Sequence, residues 1–249
     1  MKTKKINSLM IAFMMATLSL SAQTSSDEIT LKDKDFGLAS ISTDIQSAEI
    51  NGQTYYYTVV KSNPSYAVIV AKKKAYNKYK EVVLPEAFTS SDGKTLTIVG
   101  IGTKAFAKCR TIKKVDLPKT VRIIGDEAFG NADVDDLSLK EGLVKIGSKA
   151  FLNNDLKDIR IPEGVEEIGE EAFYCLKSTI FQRNGGGTLY IPKSVYNIGK
   201  HAFSMTQNGW GMWFHSRRKI LCLPDHVNLD NCKDMGISRD PVEEYLKGK

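Results

Sequence analysis

Val115-Asp-Leu117-Pro118-Lys-Thr-Val121-Arg-Ile-Ile124-Gly125-Asp-Glu-Ala128-Phe129 is the stretch on which the fold turns. Its second half, Ile-Gly-x-x-Ala-Phe, recurs at Ile101-Gly102 to Phe106, Ile146-Gly147 to Phe151, Ile168-Gly169 to Phe173 and Ile198-Gly199 to Phe203. The phenylalanines are 23, 22, 22 and 30 residues apart. Its first half, apolar-x-apolar-Pro, interleaves with it. Copies are Val82-Val-Leu84-Pro85, Ile159-Arg-Ile161-Pro162, Leu189-Tyr-Ile191-Pro192 and Leu221-Cys-Leu223-Pro224. Leu137-Ser-Leu139-Lys140 is the same unit with Lys in place of Pro. A fixed period of this length is the mark of a repeat architecture.

Each feature has a physical reading. Apolar-x-apolar is a short strand whose alternate side chains share one face. Pro ends it, because it has no N–H to give to a ladder. Gly permits a sharp turn, with positive φ available to it. Ala lets neighbouring coils approach, and Phe fills the coil centre. One coil cannot bury its own apolar face, but stacked coils can. The expectation is a solenoid whose six strands form one parallel sheet about 24 Å long.

The strand half also fits Leu-x-x-Leu-x-Leu, as in Ile112-Lys-Lys-Val115-Asp-Leu117 and Leu156-Lys-Asp-Ile159-Arg-Ile161. On these motifs residues 78–224 resemble the BspA-like leucine-rich repeats of bacterial surface proteins. The resemblance implies a leucine-rich-repeat solenoid, mainly parallel strands with short helical turns. It also implies an extracellular binding or adhesion role, without cofactor or metal. Thr120, Gly142, Gly164 and Ser194 stand where ordinary leucine-rich repeats carry Asn, so no asparagine ladder is expected.

The ends differ from the middle. Residues 23–77 read as an irregular segment, 23–50, followed by a capping hairpin of Tyr55–Val60 and Tyr66–Ala71. Residues 225–249 read as a C-terminal cap. There Asp240-Pro241-Val-Glu243 offers an N-cap, a proline at N1 and an acid at N3 for a short helix over 241–247. Residues 1–22 read as a secretory signal: Lys2, Lys4 and Lys5, then Leu9–Ala16, then Ser21 and Ala22. The apolar run is shorter than the roughly 20 residues a bilayer span needs. No cysteine precedes Cys109, so a lipid anchor is not expected. The mature protein is expected outside the cell or at its outer surface.

Composition agrees. With 249 residues, 42% of them hydrophobic and 26% charged, the chain is neither disordered nor collagen-like nor a multi-span membrane protein. The formal charge is +6, and +3 without Lys2, Lys4 and Lys5, too little on its own to argue for nucleic acid.

The candidate chemistry is sparse. Outward-facing strand residues are Glu81 and Val83, Lys114 and Asp116, Asp136 and Ser138, Asp158 and Arg160, Thr188 and Tyr190, then Ile220 and Cys222. Asp136 and Asp158 are too few oxygens for calcium. His201 occupies the variable position before Ala-Phe and reads as solvated. No His–Ser–Asp or Cys–His arrangement is local, so a hydrolase ranks last among the functions. Gly185-Gly-Gly187 lacks the Lys-Ser/Thr of a phosphate loop. Cys109 and Cys175 read as buried small hydrophobes, and a Cys222–Cys232 bridge stays open.

Two adjacent coils carry long insertions at the same point. The first holds Phe181 and Arg183, and the second holds Trp210, Trp213, Phe214, Arg217 and Arg218. Trp, Tyr and Arg are enriched where truncation costs binding energy. These seven residues with Tyr190 are therefore the candidate site, for a protein ligand or, alternatively, a glycan stacked on the aromatic insertions. The competing role for Trp210 and Trp213 is to seal the last coil. Gly209 and Gly211 favour an adaptable loop, while Met212 and Trp213 favour packing.

Overall fold

The computed structural model describes residues 44–154, 156–175, 187–206, 213–214 and 218–249, with Thr206, Trp213 and Phe214 described by their backbone. The leader and most of the segment to residue 50 lie outside these residues.

Strands β1 (Gln46–Ile50), β2 (Gln53–Val60) and β3 (Asn63–Ile69) form an antiparallel meander. The expected hairpin is there, but β1 extends it into a stretch read as irregular. Asn51 and Gly52 make the first turn with φ of 51° and 75°. Such Asn-Gly pairs match the twist of the strands they join.

Fourteen strands remain, and eleven of them follow the repeats. In chain order the fourteen begin with β4 (Glu81–Val83), β5 (Ala87–Thr89), β6 (Thr95–Ile101), β7 (Lys114–Asp116), β8 (Ile123–Ile124), β9 (Asp136–Ser138) and β10 (Lys145–Ile146). Then come β11 (Ile159–Arg160), β12 (Glu167–Ile168), β13 (Thr188–Tyr190), β14 (Asn197–Ile198), β15 (Met205–Thr206) and β16 (Trp213–Phe214). The last strand, β17 (Lys219–Cys222), precedes one helix, α1 (Arg239–Lys247). β5 and the insertion hairpin β15–β16 stand between the repeat strands.

The expected single parallel sheet is corrected here. The isoleucine before each glycine is itself a rung, so β6, β8, β10, β12 and β14 pair in parallel at matched repeat positions. β3 joins β6 in parallel, and with β5 antiparallel on β6 the meander and this ladder make one nine-stranded sheet of mixed direction. The apolar-x-apolar strands form two further parallel ladders, β4-β7-β9 and β11-β13-β17. The break falls after β9, the strand of the copy that ends in Lys140.

Between the ladders runs one aromatic column. Phe106, Phe129, Phe151, Phe173 and Phe203 are buried, with successive ring centroids 5.0, 5.3, 5.3 and 5.5 Å apart and planes within 10°. Tyr76 continues the column, 4.6 Å from Phe106. It belongs to a copy the sequence pattern hides, Lys74-Ala75-Tyr76. Lys74 has φ of 60°, and the equivalent Lys104, Glu127, Lys149, Glu171 and His201 have φ between 52° and 58°.

The left-handed residue is thus the variable one, two places after the glycine, and not the glycine itself. Glycine is needed for close approach. A Cβ on Gly125 would lie 2.6 Å from the Thr103 amide nitrogen, and one on Gly147 would lie 2.6 Å from Asp126 Oδ1.

Asparagines do stack, at a site other than the one read for a ladder. Asn153 Nδ2 donates to Asn131 Oδ1 at 2.7 Å, and the Asn154 side chain bonds Val134 N–H and the Phe129 carbonyl, both at 2.8 Å.

At the C-terminal end the His201 and Phe203 amides bond the carbonyls of Asp234 (2.7 Å) and Met235 (2.9 Å). Residues 232–237 thus supply the groups that a next repeat would. α1 begins earlier than expected, with Ser238 as N-cap, and buries Val242. Cys222 and Cys232 are not bridged in this structure.

Candidate functional site

The two insertions leave and rejoin the fold side by side. Cys175, where the first departs, bridges Met205, where the second departs. Thr188 and Lys219, where they return, are register partners. β15 and β16 pair as an antiparallel hairpin, with Trp213 opposite Thr206 and Phe214 opposite Met205. Phe181, Arg183, Trp210 and Arg217 lie outside the described residues, as do the side chains of Trp213 and Phe214.

Arg218 is corrected from a loop contact to an internal strut. It is 2% exposed. Its Nη2 donates to the Leu156 carbonyl at 2.5 Å and its Nε to the Lys157 carbonyl at 3.0 Å. A buried cation needs such partners, since leaving it unsolvated and unpaired is costly. The side chain pins the return of the second insertion to a coil about sixty positions earlier.

Beside these returns lies the end of the outer ladder. Arg160, Tyr190 and Cys222 form one cross-strand row. The Arg160 guanidinium sits 4.3 Å from the Tyr190 ring centroid. The Tyr190 hydroxyl donates to Glu163 Oε1 at 2.6 Å. That bond to a carboxylate, with some desolvation, pushes the phenol up to about 12. Asp158 Oδ1 accepts from both the amide and the hydroxyl of Thr188 at 2.7 Å.

β17 carries a bulge against β13: Leu189 pairs Ile220, but Tyr190 pairs Cys222. Ile220, expected outside, is therefore buried, and Leu221 is squeezed out to 45% exposure. An exposed leucine beside a cation-covered tyrosine is an amphipathic contact surface. Leu221 and Glu163 were not among the residues the sequence singled out, and Arg160 was read as an outward-facing strand residue but left out of the candidate site. The Pro224 frame places Leu221 inside, and only the extra residue in β17 reveals otherwise.

A polar groove of about 350 Å³ lies on the other ladder, lined by Asp126, Lys145, Ser148, Glu167 and Asn197 among others. Its charges answer one another: Lys145 pairs Glu167 at 3.0 Å, and Asp126 accepts from Ser148 N–H at 2.8 Å. Among the described residues no cluster of His, Cys, Asp or Glu is arranged to hold a metal, and no helix is long and apolar enough to cross a membrane.

Comparison with known proteins follows from the repeats. Residues 94–209 match six copies of the BspA type leucine rich repeat region. No curated protein matches the chain. Among solved structures it is similar to a leucine rich repeat protein of T. pallidum, at 29% identity and TM-score 0.48, covering 60% of this chain and 63% of that one. It is also similar to a leucine-rich repeat protein from Bacteroides ovatus, at 24% identity and TM-score 0.42, covering 68% and 38%. A leucine rich cell surface protein from Faecalibacterium prausnitzii matches at 18% identity and TM-score 0.39, covering 72% and 55%. The chain thus spans less than two thirds of the length of each of these three. With its repeats in register and its phenylalanine column intact, the chain carries a BspA-type leucine-rich repeat region over residues 94–209.

Proposed function

We propose that the chain is a secreted or cell-surface binding protein that holds an extracellular protein ligand on the Arg160–Tyr190–Leu221 surface and the two insertions beside it. Its repeats wind as a solenoid over 78–224, capped by 23–77 and 225–249, and residues 1–22 direct its export. One observation carries the reading: the two insertions, the second holding Trp210 and Trp213, return to the fold beside the bulge that exposes Leu221 on the β11-β13-β17 ladder. Arg218 takes no part in contact and anchors the loop that makes it.

A pull-down with the full chain on matrix proteins and on a glycan array identifies the ligand class. Tyr190→Ala and Trp213→Ala should each weaken the captured protein ligand by at least about 2 kcal/mol, with the denaturation midpoint nearly unchanged. A destabilised Trp213→Ala protein with full affinity would show that this residue seals the coil instead. Capture of glycans alone would move the function to sugar binding.

A further inference from the structure

Residues 71–80 carry five lysines, and residues 108–114 carry three lysines and Arg110; neither stretch contains an acid. The fold lays one on the other. Thr111 Oγ1 donates to the carbonyls of Asn77 (2.9 Å) and Tyr79 (2.7 Å), and the Lys113 amide donates to the Lys80 carbonyl at 2.7 Å. Lys78 and Lys80 therefore stand beside Arg110 and Lys113 on one edge, and all four are exposed. The support is rigid. Tyr76 is buried, donates to the Val70 carbonyl at 2.9 Å and accepts from the Tyr56 amide at 2.9 Å.

Most described lysines elsewhere are neutralised: eight of the fourteen outside this strip have a carboxylate within 3.5 Å, as Lys104 has Glu127 and Lys149 has Glu171, and the others are scattered singly along the chain. None of the nine strip cations has an ion pair among the described residues; Lys72 lies over the Tyr56 ring and Lys113 donates to the Asp133 carbonyl. Lys114 has the acids Glu81 and Asp136 as register partners, whereas the stretch from Lys72 to Lys80 lies against Arg110 and Lys113 with no acid in either segment. Like charges closer than the screening length of about 8 Å at physiological salt repel, and a bound polyanion would supply counter-charge there.

The surroundings select the kind of polyanion. Tyr76 is buried and the Tyr79 hydroxyl is bonded to the Thr54 carbonyl, so neither offers the free face on which unpaired bases stack. The exposed large hydrophobics, Ile45, Tyr196, Leu221 and Leu246, all lie outside the strip, which leaves it without an apolar anchor for a bilayer. Eight of the nine cations are lysines, flexible point charges that suit a spaced row of anions. We propose that this strip binds a linear sulfated or carboxylated polysaccharide, at a site separate from the Tyr190 surface.

The test uses heparin as probe and the full chain. K78E/K80E/R110E is set against K200E/K233E/R239E, which makes the same net-charge change at exposed positions elsewhere. At 0.15 M salt the strip variant should bind heparin at least about tenfold more weakly, and the control variant less than about threefold. Fully desulfated heparin should bind more weakly than heparin to the wild type. Should the charge reversals unfold the strip, K78Q/K80Q/R110Q replaces them, with a thermal melt as the check. Equal losses in both variants would overturn the proposal, because bulk charge would then explain the binding. So would strip-dependent binding of single-stranded DNA or phosphatidylserine vesicles as tight as that of heparin. A strip-dependent dimer in sedimentation, without heparin binding, would assign the strip to a second copy instead.

Discussion

The two ends of the repeat array cover the same aromatic column by different means. At the N-terminal end the column finishes in Tyr76, and strands of five to eight residues continue the ladder outward. At the C-terminal end the last rung, β14, has two residues, and the cover is the loop 232–237, followed by α1, which packs on β17. The first cover extends a sheet, so every added residue brings cross-strand bonds and side-chain contacts with it. The second imitates a repeat with a few carbonyls. Local opening follows the cover with fewer buried contacts, so the C-terminal end should open first and the N-terminal end should share the stability of the core.

Mutation at the N-terminal end has the largest expected effect. Tyr76→Ala should cost about 3–5 kcal/mol, as much as Phe151→Ala at the centre of the column. It also strips the Tyr56 amide and the Val70 carbonyl of a partner. Chemical denaturation with both variants measures the pair. A Tyr76→Ala cost near 1 kcal/mol would collapse the asymmetry between the ends. Val242→Ala should cost less, about 1–2 kcal/mol, since it empties two methyl groups from a helix with one buried residue. Native-state hydrogen exchange sharpens the contrast: the His201 and Phe203 amides should exchange faster than those of Phe129 and Phe151. Equal protection would mean that the C-terminal loop is as firmly held as a repeat.

What repeats was legible. The phenylalanine column and the Pro-terminated strands were read from spacing alone, because five copies average out local ambiguity. The second ladder was not, since Ile123–Ile124 is too short to show a period of two. The copy at Tyr76 was hidden by the loss of both glycine and phenylalanine. The left-handed backbone at Lys104, Glu127 and Lys149 has no signal in those side chains. It is imposed by bonds such as Glu127 N–H to the Ser148 carbonyl at 2.9 Å. At the candidate site the tyrosine was legible by its outward register. Arg218 was not, because its carbonyl partners come from a distant coil. Leu221 was not, because a single inserted residue reverses which face a strand presents.

The smallest expected effect isolates that tyrosine from those at the N-terminal end. Tyr55 and Tyr76 are raised chiefly by burial, whereas Tyr190 is raised first by its bond to the Glu163 carboxylate. Ionising the phenol removes the proton that the bond needs and sets two negative charges side by side. Glu163→Gln should therefore bring the Tyr190 phenol down from about 12 towards its ordinary 10 and leave Tyr55 and Tyr76 where they are. The phenolate absorbance titration, with Tyr190→Phe to assign the step, reads this directly. The sign for stability follows. A phenol whose folded value lies above its unfolded one holds its proton better when folded, so its contribution is complete below pH 10 and lost as the pH rises through 12. Tyr190 is half-buried, with its bond to Glu163 at the exposed surface, so the loss should be small, and it should vanish in Glu163→Gln. A Tyr190 step unmoved by that substitution would mean that desolvation against the strand, not Glu163, raises the phenol, since the Arg160 cation can only lower it.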